Sequence, residues 1–310
     1  MRRMDEITSM RGQTVLLTGA TSGIGKETAR ALAQAGATLV LGARDRALAN
    51  ALQVELKTAT GNSQISVLLG DLSSLASVRA MAAQFLKKHQ RLHVLINNAG
   101  LVMSKRELTE DGLERSFATN HLGPFLLTML LLDTLKASAP ARIINVASAA
   151  HTRGRMHWND LQFSKGFSGL RSYSQSKLCN VLFTNALSRQ LAGTAVTVNA
   201  LHPGVVRSGF ASNTSGWLHW GWRLLRPFMI DSAKGSRTTV HLASSPVVDG
   251  VTGKYFARER EKLPSRAARS EQDADRLFAE SLRLVGSLAA AKTEITQDPT
   301  ASGGSKRGRR

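Results

Sequence analysis

Tyr173 and Lys177 stand four residues apart in the run Tyr173-Ser174-Gln175-Ser176-Lys177. Residues at that spacing share one face of a helix, so the two side chains can approach each other. A phenol with an ordinary pKa near 10 is a poor base at neutral pH. A nearby ammonium favours phenolate and lowers such a pKa by about 1 to 3 units, which brings the hydroxyl toward the range of proton transfer. The spacing alone is common, and a surface pair would show it too. Far upstream lies a second constellation, Thr18-Gly19-Ala20-Thr21-Ser22-Gly23-Ile24-Gly25. Glycines there let backbone approach a pyrophosphate, and a following helix N-terminus offers free N–H groups and a positive dipole end. One constellation binds a nucleotide, the other moves a proton, and together they read as an enzyme.

The elements that must position these residues are visible as apolar, β-branched runs at 14–18, 37–41, 65–69, 94–96, 142–146 and 196–201. They read as short strands buried on both faces. Helical patterns fill the gaps, as at 26–35 and 47–58. Repeated β-α units imply a parallel sheet with right-handed crossovers and helices on both faces. No Pro/Ser/Gly-rich linker divides the alternation, so one domain is expected over 12–290, after an extension at 1–11 and before a polar, disordered, basic tail at 291–310.

Composition narrows the classes. The single cysteine, Cys179, excludes an internal disulfide and a cysteine-based zinc cluster, and no metal site is expected. The start, Met1-Arg2-Arg3-Met4-Asp5-Glu6, is charged where a secretory signal needs apolar residues. The best apolar window, 125–132, is far short of a membrane span, so a soluble, cytoplasmic protein is expected. The net charge of +19 raises nucleic acid as a partner. No zinc-finger spacing or aromatic RNA-binding motif accompanies it, so no specific nucleic-acid partner is expected. The charge reads as a solvated basic surface or an affinity for anionic ligands and membranes.

Beyond the glycine turn come Asp71-Leu72 after the third strand and Asn97-Asn98-Ala99-Gly100 after the fourth. Asn120, Ser148 after the fifth strand, Tyr173-x-x-x-Lys177 and Pro203-Gly204 follow. In order and spacing the chain resembles the short-chain dehydrogenase/reductase family over residues 12–257. The resemblance implies a doubly wound Rossmann-type α/β domain with a mainly parallel sheet of about seven strands. It implies a catalytic set in which Tyr173 exchanges a proton with the substrate oxygen and Ser148 hydrogen-bonds that oxygen. In that set Lys177 also holds the nicotinamide ribose, and Asn120 positions a water. It further implies cofactor contacts from Gly19, Thr21, Ser22, Gly23, Ile24, Gly25, Asp71, Leu72, Asn98, Ala99, Gly100, Tyr173, Lys177, Pro203, Gly204, Val206 and Ser208. An acid at the end of the second strand would favour NAD(H); here Ala43 stands in its place and Arg44 follows, so NADP(H) is expected. Asp45 is one step late and reads as a helix cap.

Trp217, Trp220, Leu224, Leu225 and Phe228 fall on one helical face, within a segment (about 208–232) that forms the variable substrate lid in the resembled family. A core-packing helix and a weak membrane-surface contact are the other readings of this stripe. Ser22 to Ala29, Tyr173 to Asn180 and Leu201 to Val206 resemble the retinol-dehydrogenase-like branch, whose members use NADP(H) on apolar alcohols, aldehydes and ketones. Many of those members carry an N-terminal membrane anchor; none is expected here. The resemblance also implies a small hydrophobic substrate and a homo-oligomer, dimer or tetramer. A nonenzymatic nucleotide sensor or scaffold would carry a broken catalytic set, whereas Asn120, Ser148, Tyr173 and Lys177 are all present.

Overall fold

The computed structural model describes residues 8–204 and 231–286. Val206, Ser208, the tryptophan-bearing stripe of the expected lid and the tail at 291–310 lie outside the described residues.

Among the described residues the strands form one sheet in the order β3-β2-β1-β4-β5-β6-β7-β8. These are β1 (Thr14–Thr18), β2 (Thr38–Ala43), β3 (Ile65–Leu69), β4 (Val94–Asn97), β5 (Ala141–Val146), β6 (Val196–His202), β7 (Tyr255–Ala257) and β8 (Arg260–Lys262). All neighbours pair in parallel except β7 and β8. Alternate residues of each strand enter opposite cores. Leu16, Val40, Leu95 and Ile143 face one cluster, while Val15, Leu17, Leu39, Leu41 and Ile96 face the other. That double burial is why the strands read as continuous apolar runs. The eighth strand adds to the expected seven. Its residues, Arg260-Glu261-Lys262, are all exposed, and such a charged strand blunts a sheet edge against further pairing.

The sheet order reverses at β1 and β4, so the loops leaving their carboxyl ends diverge and open a crevice. Helix α1 (Gly23–Gln34) begins three residues earlier than the sequence pattern predicts, because the glycine turn itself forms its first turn. Helices α2 (Arg46–Thr60) and α3 (Leu75–Lys88) follow β2 and β3, capped by Asp45 and Ser74 side chains.

A short helix α4 (Arg115–Phe117) widens into a π turn (Ala118–Leu122) before α5 (Gly123–Ala137). Pro124 lacks an N–H and so interrupts the usual ladder one turn upstream. The backbone also presses close at Gly123, where a β-carbon would meet the Leu72 carbonyl oxygen at 2.2 Å. The long helix α6 (Gly169–Gln190) follows β5, then α7 (Ser232–Ser244) and α8 (Glu271–Val285). Helix α8 lies on α6, with the Phe278 ring against Phe125 and Phe183.

Candidate active site

The end of β1 is built for close approach. Gly19 has a φ of +66°, and a β-carbon there would lie 2.8 Å from the Ala99 Cα. At Gly25 a β-carbon would fall 2.0 Å from the Gly19 carbonyl oxygen, an impossible contact. The Thr18 hydroxyl donates to the Ile96 carbonyl (3.2 Å) and accepts from the N–H groups of Asn98 and Ala99. In return the Asn98 amide donates to the Thr18 and Gly19 carbonyls at 2.9 and 3.1 Å. The two strand ends at the crevice are therefore clamped to each other, and the cleft between them keeps its shape.

Helix α1 starts at this cleft with Ser22 in extended conformation and no side-chain cap. Helices α2, α3, α7 and α8 each have one first-turn N–H engaged by a capping side chain, whereas α6, like α1, has none. The uncapped first turn of α1 leaves donors and a dipole end for an anion such as a pyrophosphate. Gly19, Thr21, Ser22, Gly23, Ile24, Gly25, Arg44, Asp71, Leu72, Asn98, Ala99 and Gly100 all line one cleft. Thr18, Gly42, Ala43, Gly70, Met81, Leu101 and Thr119 line it too. Among these, Met81 gave no signal in the sequence; it reaches Gly42 and Gly70 from α3, and a β-carbon at Gly70 would strike its sulfur at 2.7 Å.

Arg44 is exposed at the mouth, its guanidinium 3.9 Å from the Asp71 carboxylate. Asp45 caps α2 by accepting from the Leu48 N–H at 2.9 Å. Asp71 folds its carboxylate into an Asx turn onto the Ser73 N–H and hydroxyl (2.8 and 2.7 Å) while still lining the cleft. Asn97, the neighbour of Asn98 in the same motif, faces the other way. Strand alternation turns it away into the core, where it donates to the Thr128 hydroxyl and the Asn145 amide oxygen, both at 2.9 Å. Pro203 and Gly204 follow β6 at the carboxyl side of the sheet.

Beyond the cleft the four chemical residues converge. Asn120 lies in the π turn, fully buried. Its amide accepts from the Leu101 N–H (2.8 Å) and donates to the Leu101 carbonyl and the Ser176 hydroxyl, both at 2.9 Å. That fixes the loop after β4 to the Tyr173 helix. Ser148 follows β5 and caps a short 3-10 turn (Ala149–Arg153). The Tyr173 hydroxyl is hydrogen-bonded to Ser148. Lys177 donates from Nζ to the Val146 carbonyl at 2.9 Å, next to Gly100.

Electrostatics differs from the expectation of a lowered phenol pKa. The Lys177 ammonium sits 5.8 Å from the centre of the Tyr173 ring and spends a hydrogen bond on Val146. Burial pushes the Tyr173 phenol up to about 12, with the Ser148 hydrogen bond pulling the other way. The same burial brings the Lys177 ammonium down to about 8. Desolvation is the larger of the two causes acting on the half-buried phenol, and the Ser148 hydrogen bond the smaller.

Comparison with known proteins agrees with this geometry. The short chain dehydrogenase family model matches residues 13–218. Retinol dehydrogenase 12 of Homo sapiens is 45% identical over 275 residues, covering 89% of this chain and 87% of the relative. An uncharacterised protein from Mycobacterium paratuberculosis has a solved structure with TM-score 0.74 and 34% identity, covering 90% of this chain and 96% of that one. The RhlG/NADP active-site complex of Pseudomonas aeruginosa superposes with TM-score 0.65 at 26% identity, covering 82% of this chain and 97% of that one. The chain belongs to the short chain dehydrogenase family of oxidoreductases, in its retinol-dehydrogenase-like branch.

Proposed function

We propose that the chain is an NADP(H)-dependent oxidoreductase that interconverts a hydrophobic aldehyde or ketone and its alcohol, with Tyr173 as general acid/base. The observation that carries this reading is the meeting of Ser148, Tyr173, Lys177 and Asn120 beside an uncapped, glycine-lined helix N-terminus. A nicotinamide cofactor fits that cradle, since the uncapped first turn of α1 offers donors to its pyrophosphate, and when bound it supplies the hydride. Gly19, Gly23 and Gly25 with the first N–H groups of α1 would hold its pyrophosphate, and Lys177 its ribose. Arg44, free of any acid at position 43, supports the 2′-phosphate and hence NADP(H) over NAD(H).

In reduction, the Ser148 hydroxyl donates to the carbonyl oxygen and Tyr173 delivers its proton there as negative charge develops. In oxidation Tyr173 takes the proton back. Lys177 keeps positive charge near the phenol, and Asn120 holds the loop and a water that refills the proton. Support for an apolar substrate comes from the similarity to retinol dehydrogenases. Among the described residues no helix is long and apolar enough to cross a membrane. A cytoplasmic setting is part of the proposal. Assembly into a homo-oligomer is proposed as well; α8 covers one side of α6, so copies would meet through other surfaces or over α8.

The test is an NADPH-consumption screen over all-trans-retinal, medium-chain aldehydes, steroids and quinones, with Tyr173→Phe as the blank. Consumption by the wild type alone supports the reading; equal consumption by both proteins, or by neither, rejects it.

A further inference from the structure

We infer that His151 is a positioning residue for the Ser148 hydroxyl, tying the serine turn to the connector that follows β8. The inference rests on the proposed role of Ser148 toward the substrate oxygen.

Ser148 sits where a strand breaks into a 3-10 turn, so its hydroxyl is only as well aimed as the turn is fixed. The Ser148 carbonyl accepts twice from one residue, from the His151 N–H at 3.1 Å and from the His151 Nδ1 at 2.7 Å. The backbone bond alone would close the turn. The side-chain bond is a second hold on the same carbonyl. The Ser148 Oγ accepts from the Ala150 N–H at 3.2 Å, which turns its own proton away from the turn and toward the site.

The tautomer follows from the partners. Across the ring, His151 Nε2 lies 3.2 Å from the Ser265 backbone nitrogen, and a backbone N–H can only donate. Nε2 is therefore the bare nitrogen, and Nδ1 carries the proton that reaches Ser148. The ring is buried, packed 4.7 Å from the Tyr255 ring of β7, and burial holds its pKa below the ordinary histidine value. The next residue, Ala149, donates its N–H to His202 Nδ1 at 3.1 Å, so the turn is gripped on both sides by neutral imidazoles. A phenyl ring would fill the His151 site without the cost of burying two polar nitrogens. Here both nitrogens are paired, one of them on the serine carbonyl, across 114 residues of sequence from Ser265.

Three substitutions separate the two bonds. His151→Asn keeps a donor near the Nδ1 position, His151→Gln keeps an acceptor near Nε2, and His151→Phe keeps only the ring. Reduction of all-trans-retinal is measured per mole of NADPH-binding sites, so an unfolded fraction drops out. His151→Phe and His151→Gln are expected to lower kcat about tenfold while KM for retinal and NADPH affinity stay within about twofold, and His151→Asn to retain most of kcat. A double-mutant cycle with Ser148→Ala completes the test, with His151→Phe costing less than about twofold in that background. Equal losses in both backgrounds, a His151→Asn as slow as His151→Phe, or an unimpaired His151→Phe would overturn the inference. A fully active Ser148→Ala would instead remove the role of Ser148 itself, and the inference with it.

Discussion

At the scale of single residues, Gly25 shows how little freedom the cofactor end has. A β-carbon would sit 2.0 Å from the Gly19 oxygen and 2.7 Å from the Asn98 amide nitrogen, groups already clamped to each other. Gly25→Ala is expected to cost about 1–3 kcal/mol in urea denaturation by overpacking. The same variant should weaken NADPH binding beyond that loss, since the helix N-terminus must move aside, which a fluorescence titration reads directly. Arg44 is the opposite case, an exposed side chain that stability does not need. Arg44→Asp should leave the melting temperature alone and shift the ratio of NADPH to NADH kcat/KM toward NADH, by roughly ten- to a hundredfold. An unchanged ratio would remove Arg44 from cofactor choice. The types and spacing of these residues were readable because each turn that meets a phosphate needs glycine or a cation. What they do to each other's charge was not. The height of the Tyr173 pKa comes from burial, a quantity that exists only once α6 is packed.

At the scale of elements, the helix that carries Asn120 and the one that covers it set the rigidity of the site. Pro124 disturbs the helix locally, and the disturbance takes the form of a π turn that points the Asn120 amide at Leu101. Asn97 could have been assigned to the core from alternation alone, since Asn98 faces the cleft. Strand β8 was invisible because Arg260-Glu261-Lys262 has no apolar side to alternate. Helix α8 packs Phe278 against Phe125 at 5.2 Å and places Ser281 Oγ 2.8 Å from His121 Nε2. Phe278→Ala should therefore cost about 3 kcal/mol in a denaturant melt. Burial drives the His121 pKa down to about 3. Below pH 6.5 the unfolded chain takes up a proton at His121 that the folded chain refuses, so stability falls as pH drops through that window. By pH 5 this amounts to about 2 kcal/mol relative to pH 7.5. A His121→Phe variant, which keeps a ring in the aromatic cluster, should lack that part of the acid loss; identical slopes for the two proteins would contradict it.

At the scale of the whole molecule, one sheet with two cores brings motifs from six different loops to the carboxyl ends of its strands. Alternation of strand and helix made that architecture legible, because doubly buried strands are apolar throughout and the crossovers permit only one hand. A cofactor that binds only the folded chain should stabilise all of it at once. NADPH at a hundred times its Kd should add about 2.7 kcal/mol to the unfolding free energy. NADH at the same concentration should add less, as a thermal-shift assay would show. The central claim is hydride transfer to a carbonyl with Tyr173 as the proton donor, and one experiment addresses both halves. The chain is incubated with all-trans-retinal and NADPH fully deuterated at C4, and the alcohol is analysed by mass spectrometry. The account predicts one deuterium on the former carbonyl carbon with the wild type, and turnover lowered by roughly a hundred- to ten-thousandfold in Tyr173→Phe with NADPH binding intact. Alcohol without deuterium, or labelled alcohol formed as fast by Tyr173→Phe, would contradict it.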